Sequence, residues 1–552
     1  MKKTIEIDLS GDRLIAVAAD LVDEHNYISA LKMLNKNAEM HYNDEDSYML
    51  YAEIFDDMGL YEKCVNNWFQ FLDCTFSSDL SDAYEGLAVS YMNLGNEHIS
   101  ALYYNKLLMD ADDIDADMRG EIMDSFLSSE RNPLKFVYPP RIADCSDIIS
   151  EGTDLMRRGE YEKAVEIFEG VDGENESYLT ARNFIAMCHI ITDKCDEAES
   201  ECLNILERFP ENVQALTTLA AVKTERQKTD ESREIARKLL DLDVTNPDDI
   251  YKIATVCCEN KMHAEAYEMF LKLDGELGYD KSVLFFKAVS AFNAGKYTES
   301  FDAFDKLLTI YPNAIIARYI YRQARETKDA EGNKELSYFY RMPEKERENT
   351  FKVLAAFSKL SARQAEKFYG LVDISDCILW CFDETENRDE AELQTLAAAC
   401  AVKAGLDGMV CDILLNAFLS DGLKIRVLTL LGARNEENTF GAVICHIYKR
   451  VTFRRLLIGR KKRKIFVAAY AGLTAHFAII NENYGEKFAS AAEKLYKKLC
   501  LADNLDAVRD ENALTAIIYQ RAKIPEPKIP ADKLADFFNT TDAKINKILG
   551  VL

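Results

Sequence analysis

Cysteine, histidine and paired carboxylates are the side chains that most often carry chemistry, and here their spacing points away from it. The chain has 14 cysteines, with no CxxC pair. Cys377 and Cys381 stand four apart, and Cys188, Cys195 and Cys202 seven apart, without the second half that a zinc site needs. Seven histidines (25, 41, 98, 189, 263, 446 and 476) form no HExxH or other ligand pair. No GxxxxGK[ST] phosphate loop, no strand-borne GxGxxG and no GxSxG elbow occurs. Acidic pairs abound, but in a chain of net charge −27 they read as solvated helix faces. The expectation is a protein that is not an enzyme and holds no metal and no cofactor.

One cluster does stand out chemically. Residues 449–464 carry nine Lys/Arg and no acid. Across 421–470 there are twelve basic and three acidic residues, a net of +9 inside an acidic chain. Arg454, Arg455, Arg460, Lys461, Lys462, Arg463 and Lys464 are the candidate phosphate-binding residues, suited to nucleic acid or anionic lipid. The competing reading is a basic segment docked on the protein's own acidic surface. The apolar run at 465–480 is 16 residues long, short of the ~20 that cross a bilayer, and reads as a buried core helix.

The elements that must position these residues follow from a repeat. With 552 residues, 48% hydrophobic, 23 Gly and 10 Pro, the chain is folded and poor in tight turns. Ala18, Ala52, Ala88, Gly152, Ala186, Ala220, Ala254 and Ala288 recur through the chain, the last of them, from Gly152 on, spaced by 34 without exception. Twelve residues after each comes a second small residue: Ala30, Cys64, Ser100, Ala164, Ala198, Ser232, Ala266 and Ser300. Small residues let two helices cross closely. Unit 281–314 shows the rest: Leu284, Ala288 and Ala291 line one helix, Gly295 ends it, Ser300, Phe304 and Leu307 line a second, and Pro312 lies beyond.

This pattern resembles the tetratricopeptide repeat family. Gly59/Tyr61/Trp68, Gly159/Tyr161/Phe168 and Gly295/Tyr297/Phe304/Pro312 match its positions 15, 17, 24 and 32. Eight units start near residues 11, 45, 81, 145, 179, 213, 247 and 281. The resemblance implies an all-α fold, an α-solenoid of helix pairs, and a concave face that binds an extended peptide or a helix. Inward positions 2, 5, 9, 12 and 13 supply an acidic face in the first block, with Asp46, Glu53, Asp56, Asp82 and Glu85. In the second block they supply an apolar groove: Met156, Asn183, Met187, Thr217, Tyr251, Phe285, Val289 and Phe292. No unit has the Lys–Asn pair at positions 5 and 9 by which co-chaperone members clamp a C-terminal carboxylate.

The expected organisation is a three-repeat block at 1–114, an irregular connector at 115–144, a five-repeat block with a capping helix at 145–330, a degenerate helical region at 331–440 and a C-terminal helical domain at 441–552. Residues 513–552 resemble the end of a cyclin-like repeat of transcription factor B type, with a helix-turn-helix core of Leu534, Ala535, Ile545 and Ile548. The opening MKKTIEIDLSGDRL lacks the apolar core of a secretory leader, which with unpaired cysteines predicts a cytoplasmic protein. The function that these features imply is a protein-protein interaction scaffold, its partners proteins or peptides, with no transmembrane segment. The alternative is a regulator that binds nucleic acid through its basic C-terminal half. Apolar groove residues also suit self-association.

Overall fold

A computed structural model describes residues 9–77, 79–110, 120, 122, 148–171, 177–328, 335–369, 374–383, 390–525 and 527–550. The expected connector at 115–144 lies, apart from residues 120 and 122, outside these. The chain divides into two compact units, residues 1–132 with 343–552, and residues 133–342.

In the first unit three helix pairs come first: α1 (Gly11–Asp23) with α2 (Tyr27–Met40), α3 (Glu45–Asp57) with α4 (Tyr61–Cys74), and α5 (Ser81–Asn93) with α6 (Glu97–Asp110). The second unit holds five more: α7 (Ile148–Arg157) with α8 (Tyr161–Glu169), α9 (Tyr178–Ile191) with α10 (Cys195–Arg208), α11 (Val213–Glu225) with α12 (Thr229–Leu240), α13 (Pro247–Glu259) with α14 (His263–Lys272), and α15 (Lys281–Asn293) with α16 (Tyr297–Ile310). A single helix, α17 (Ile315–Lys328), covers the last pair.

All sixteen small residues of the two sequence columns are buried. Gly152 shows why the column is small: a Cβ there would stand 2.3 Å from the Phe168 ring of the paired helix. First helices start on side-chain caps spaced by the repeat. Asn212, Asn246 and Asp280 each accept from a backbone N–H in the first turn, and Asp44 does the same on Ser47.

Between the helices of every pair, repeat position 15 takes a positive φ. Gly59, Gly95, Gly159 and Gly295 adopt it, and so do His25, Asp193, Gln227 and Lys261. The amide after it closes a turn onto the first helix, as in Lys296 N–H to Ala291 O at 2.8 Å and Met262 N–H to Cys257 O at 2.9 Å. The left-handed turn is thus a requirement of the crossing, met by glycine in half the repeats and by strained residues in the rest.

Among the described residues, the remainder of the first unit is built of helices and one hairpin. Helices α18 (Glu344–Lys359), α19 (Ala362–Tyr369), α20 (Ser375–Asp383), α21 (Glu390–Ala404), α22 (Asp407–Leu415) and α23 (Asp421–Gly432) lead to β1 (Asn438–Ile444) and β2 (Ile447–Phe453). The strands pair antiparallel, Ile444 opposite Ile447, around Cys445 and His446, both of positive φ. A domain boundary expected at 440/441 would fall inside β1; alternating TFGAVI and IYKRVTF form strands where an all-helical reading saw a basic segment. Then come α24 (Arg463–Phe477), α25 (Tyr484–Leu501) and α26 (Glu511–Ala522), with the short α27 (Leu534–Phe537) and α28 (Asp542–Leu549). Helix α24 is the expected buried core helix: Phe466, Tyr470, Leu473 and Phe477 are all buried. Among the described residues no helix is long and apolar enough to cross a membrane.

Gly295 has open space around its missing Cβ, so Gly295→Ala isolates backbone strain. It is expected to destabilise by about 1 kcal/mol, while Gln227→Gly, which relieves the same strain at an exposed side chain, stabilises by about 0.5–1 kcal/mol after the entropy cost of glycine. Urea unfolding of the full chain measures both; equal signs would refute a shared conformational cause.

Candidate functional site

The second unit carries a non-helical segment on its repeat array, bent at Tyr338 and Phe339. Residues 335–341 follow no helical period and lie along α15 and α13. The Asn293 carboxamide grips Leu336 on both sides of its backbone. Its Nδ2 donates to Leu336 O at 3.0 Å, and Leu336 N–H donates to its Oδ1 at 2.8 Å. Leu336 is buried. The Tyr338 hydroxyl lies 2.8 Å from His263 Nδ1, with the two rings stacked. The Tyr340 ring meets Phe285 edge-on at 4.9 Å, and Lys281 Nζ sits 4.7 Å over it. Glu335 pairs with Lys261 at 2.8 Å. The segment therefore runs from the end of α15 back to its start. Burying Leu336 contributes about 1.5–3 kcal/mol, and each Asn293 bond about 0.5–1.5 kcal/mol.

Asn293 and Phe285 occupy positions 13 and 5 of their repeat, inward positions of the 34-residue frame. Eight small-residue crossings, eight left-handed turns at position 15 and polypeptide held on inward positions settle the type of array. The described residues between 11 and 314 form eight helix pairs of one repeating type, an α-solenoid.

Other expected groove residues fall into two classes. Phe285, Val289 and Phe292 are buried, not open: α15 is apolar because it packs on α14, on α16 and under Tyr340. Thr217 and Asn183 are buried too, and donate to Gln214 O and Leu179 O of their own helices. Tyr251 is half-buried between Phe270 and Phe286. Met156 and Met187 are half-buried. Asn293, His263 and Lys281 were not singled out in the sequence; the inward register at position 13 was the one signal for Asn293.

In the first block of helix pairs the acidic residues stay in water. Asp46, Glu53, Asp82 and Glu85 are exposed and Asp56 is half-buried. Partial burial, then neighbouring carboxylates, raise three of them above the ordinary range: Asp57 and Asp23 act on Glu53, Asp57 on Asp56, and Asp82 on Glu85.

A different surface of this block is occupied. The hairpin turn docks on its third repeat. Tyr103 donates to His446 O at 2.6 Å, and the Tyr91 hydroxyl lies 2.9 Å from His446 Nδ1. Tyr448 donates to Asp73 at 2.8 Å, and Asn66 accepts from Ala417 N–H at 2.9 Å. A Cβ on Gly441 would stand 1.8 Å from Asp73 Oδ1. Behind the turn Lys424 is fully buried, its Nζ donating to Val443 O at 2.7 Å.

The basic segment is partly neutralised by its own fold. Arg454 bridges Glu486 and Glu493 at 3.2 and 3.1 Å, Lys461 pairs with Asp506 at 2.9 Å, and Arg463 donates to Ile458 O. Arg455, Arg460 and Lys464 are exposed, Lys462 is half-buried, and none of the four makes an ion pair among the described residues. Arg455, Arg463 and Lys464 line an open depression of about 600 Å³ that Glu436 and Glu437 also line. At the C-terminus Leu534, Ala535, Ile545 and Ile548 are buried as expected. The first helix of that motif has four residues, and Lys544 is held by Asp510 at 2.6 Å. Among the described residues no three potential metal ligands cluster.

No family model matches the chain. DnaJ homolog subfamily C member 3 of Rattus norvegicus is 23% identical over 208 residues, 37% of this chain and 37% of that protein. The Mus musculus form is 24% identical over the same shares. The chain thus spans about 37% of the length of the curated relatives it matches. Among solved structures it is similar to YrrB, a TPR protein with an unusual peptide-binding site, at 15% identity, 32% of this chain, 92% of that one and a TM-score of 0.25. It is also similar to the TPR2AB domain of yeast Sti1 in complex with an Hsp90 peptide, at 15% identity, 48% of this chain, 97% of that one and a TM-score of 0.20.

His446 gives the first unit a pH dependence. Burial, then the nearby Lys424, lowers its pKa below the ordinary 6.5, with Asp421 opposing. A depressed imidazole stabilises the fold when neutral. That stability is complete above about pH 6.5 and is lost as pH falls through the folded value. Wild-type chain is expected to lose more stability than His446→Gln between pH 7.5 and 5.5 in thermal melts. Parallel curves for the two proteins would exclude His446 as the cause.

Proposed function

We propose that this protein is a non-enzymatic interaction scaffold whose second tetratricopeptide block binds extended polypeptide segments. The observation that carries the reading is the two-sided grip of Asn293 on the Leu336 backbone. A carboxamide that satisfies both main-chain groups of one residue recognises extended chain as such, and the flanking pockets then select side chains. The acidic face of the first block suits a basic segment by charge complementarity, so two faces of one chain can hold different partners.

Site-specific photo-crosslinking in the full-length chain tests the reading. A benzophenone residue in place of Met187, on the inward side of α9, is expected to capture partner proteins in lysate. One in place of Arg237, exposed on α12, is expected to capture few, and nuclease treatment should leave the Met187 products unchanged. Equal capture from both positions would remove the groove from the function.

A second reading, nucleic-acid binding by the basic segment, is favoured by the exposed and unpaired Arg455, Arg460 and Lys464. Replacing all three by Ala should then lower the slope of log affinity against log salt by about 3. An unchanged slope refutes it.

A further inference from the structure

The segment 335–340 has the geometry of a ligand. Its side chains alternate: Leu336 is buried, Ser337 exposed, Tyr338 half-buried, Phe339 81% exposed and Tyr340 half-buried. Every second residue is turned toward the groove, with the backbone bent around Phe339, whose N–H donates to Ser337 Oγ at 3.1 Å and whose carbonyl accepts from Arg341 N–H at 2.8 Å. Its backbone is gripped at Leu336 by Asn293. Each inward side chain has its own receptor. Tyr338 meets the His263 imidazole, and Tyr340 meets Phe285 and the Lys281 ammonium. At the entrance Glu335 meets Lys261. An element built only to complete a core would not leave its largest apolar side chain, Phe339, in water while spending a half-buried carboxamide on its main chain.

We infer that residues 335–340 are an internal occupant of this groove, displaced by a partner protein's extended segment of the pattern acidic–apolar–x–Tyr–x–Tyr. The inference rests on the scaffold reading and adds to it the chemistry of the ligand and a means of regulation. A tethered occupant acts at roughly millimolar effective concentration. It lowers the apparent affinity of a competing segment by the fraction of time the groove stands open. With a dissociation constant near 10 μM for the tethered segment itself, the groove stands open roughly 1% of the time and a competing segment is weakened roughly 100-fold. Only partners that match the pattern well, or that gain from a second contact, would overcome it.

The test uses the full-length chain and a fluorescent synthetic peptide spanning residues 333–342, with a scrambled peptide as control. The triple variant Leu336→Ser, Tyr338→Ala, Tyr340→Ala empties the groove. It is expected to bind the peptide at least tenfold more tightly than the wild-type chain, and adding Asn293→Ala should weaken that binding at least tenfold. A triple variant of unchanged helicity that binds no better than wild type overturns the inference. A wild-type dimer dissociated by the triple substitution also overturns it, since the segment would then serve a second copy. Should the triple variant fail to fold, hydrogen exchange on the wild-type chain decides. Millimolar peptide should release the Leu336 amide from protection and leave α15 protected; unchanged Leu336 protection overturns the proposal. Met187 crosslinks without any affinity gain in the triple variant would leave the scaffold reading standing and remove this inference alone. Absence of both would remove the two together.

Discussion

The close crossing of two helices at a pair of small residues is the constraint on which the rest of the molecule depends. Bulk at either position pushes the helices apart, as the Gly152–Phe168 contact shows in distance. Once the axes are that close, the connection between them has room for only a few residues, and one of these must turn left-handed. The stack that results has an inner face, an outer face and an open end. Interior density is then set by what fills the crossing, which is why aromatic residues such as Trp68, Phe168 and Phe304 recur at one repeat position.

Two of these surfaces are covered from within the chain, by different chemistry. The end of the first block receives a β-turn. Its contacts are tyrosine hydroxyls on a backbone carbonyl and an imidazole, reinforced by a buried lysine behind the turn. Such a contact depends on the tautomer and charge of one ring. The inner face of the second block receives a non-helical segment, held by a neutral carboxamide and by aromatic edges. That contact draws on the buried Leu336 at its centre and on the two tyrosines beyond it. The first joins two parts of one compact unit, and the second covers a repeat array with a segment of its own unit.

The periodic part of this architecture was legible from sequence because each repeat restates it. The two small columns, the pair boundaries and the buried character of α24 all follow from spacing. The conformation of Lys261 or Gln227 was not visible in either residue, since neither announces a left-handed turn; only the register with Gly295 does. The occupied groove was unreadable for another reason. Leu336 meets Asn293 across 43 residues, and ELSYFYR belongs to no repeat, so no pattern links the two. The hairpin hid under its own charge: KRVTFRR reads first as a basic run, and its turn residues, Cys445 and His446, lack the usual Asn-Gly signal. For the same reason Arg454 and Lys461 counted as free cations, although the acids that neutralise them lie 32 to 45 residues further on.

The joint between Tyr103 and the His446 carbonyl spans 343 positions of sequence. At 5–20 residues per second a ribosome needs roughly 20–70 s to deliver the second partner after the first. The intervening repeats draw only on near neighbours, so they can be complete before the first block receives its cover. During that interval Tyr91 and Tyr103 are an uncovered aromatic surface on a nascent chain. The order of synthesis thus leaves this aromatic surface uncovered until the hairpin turn at His446 has been made.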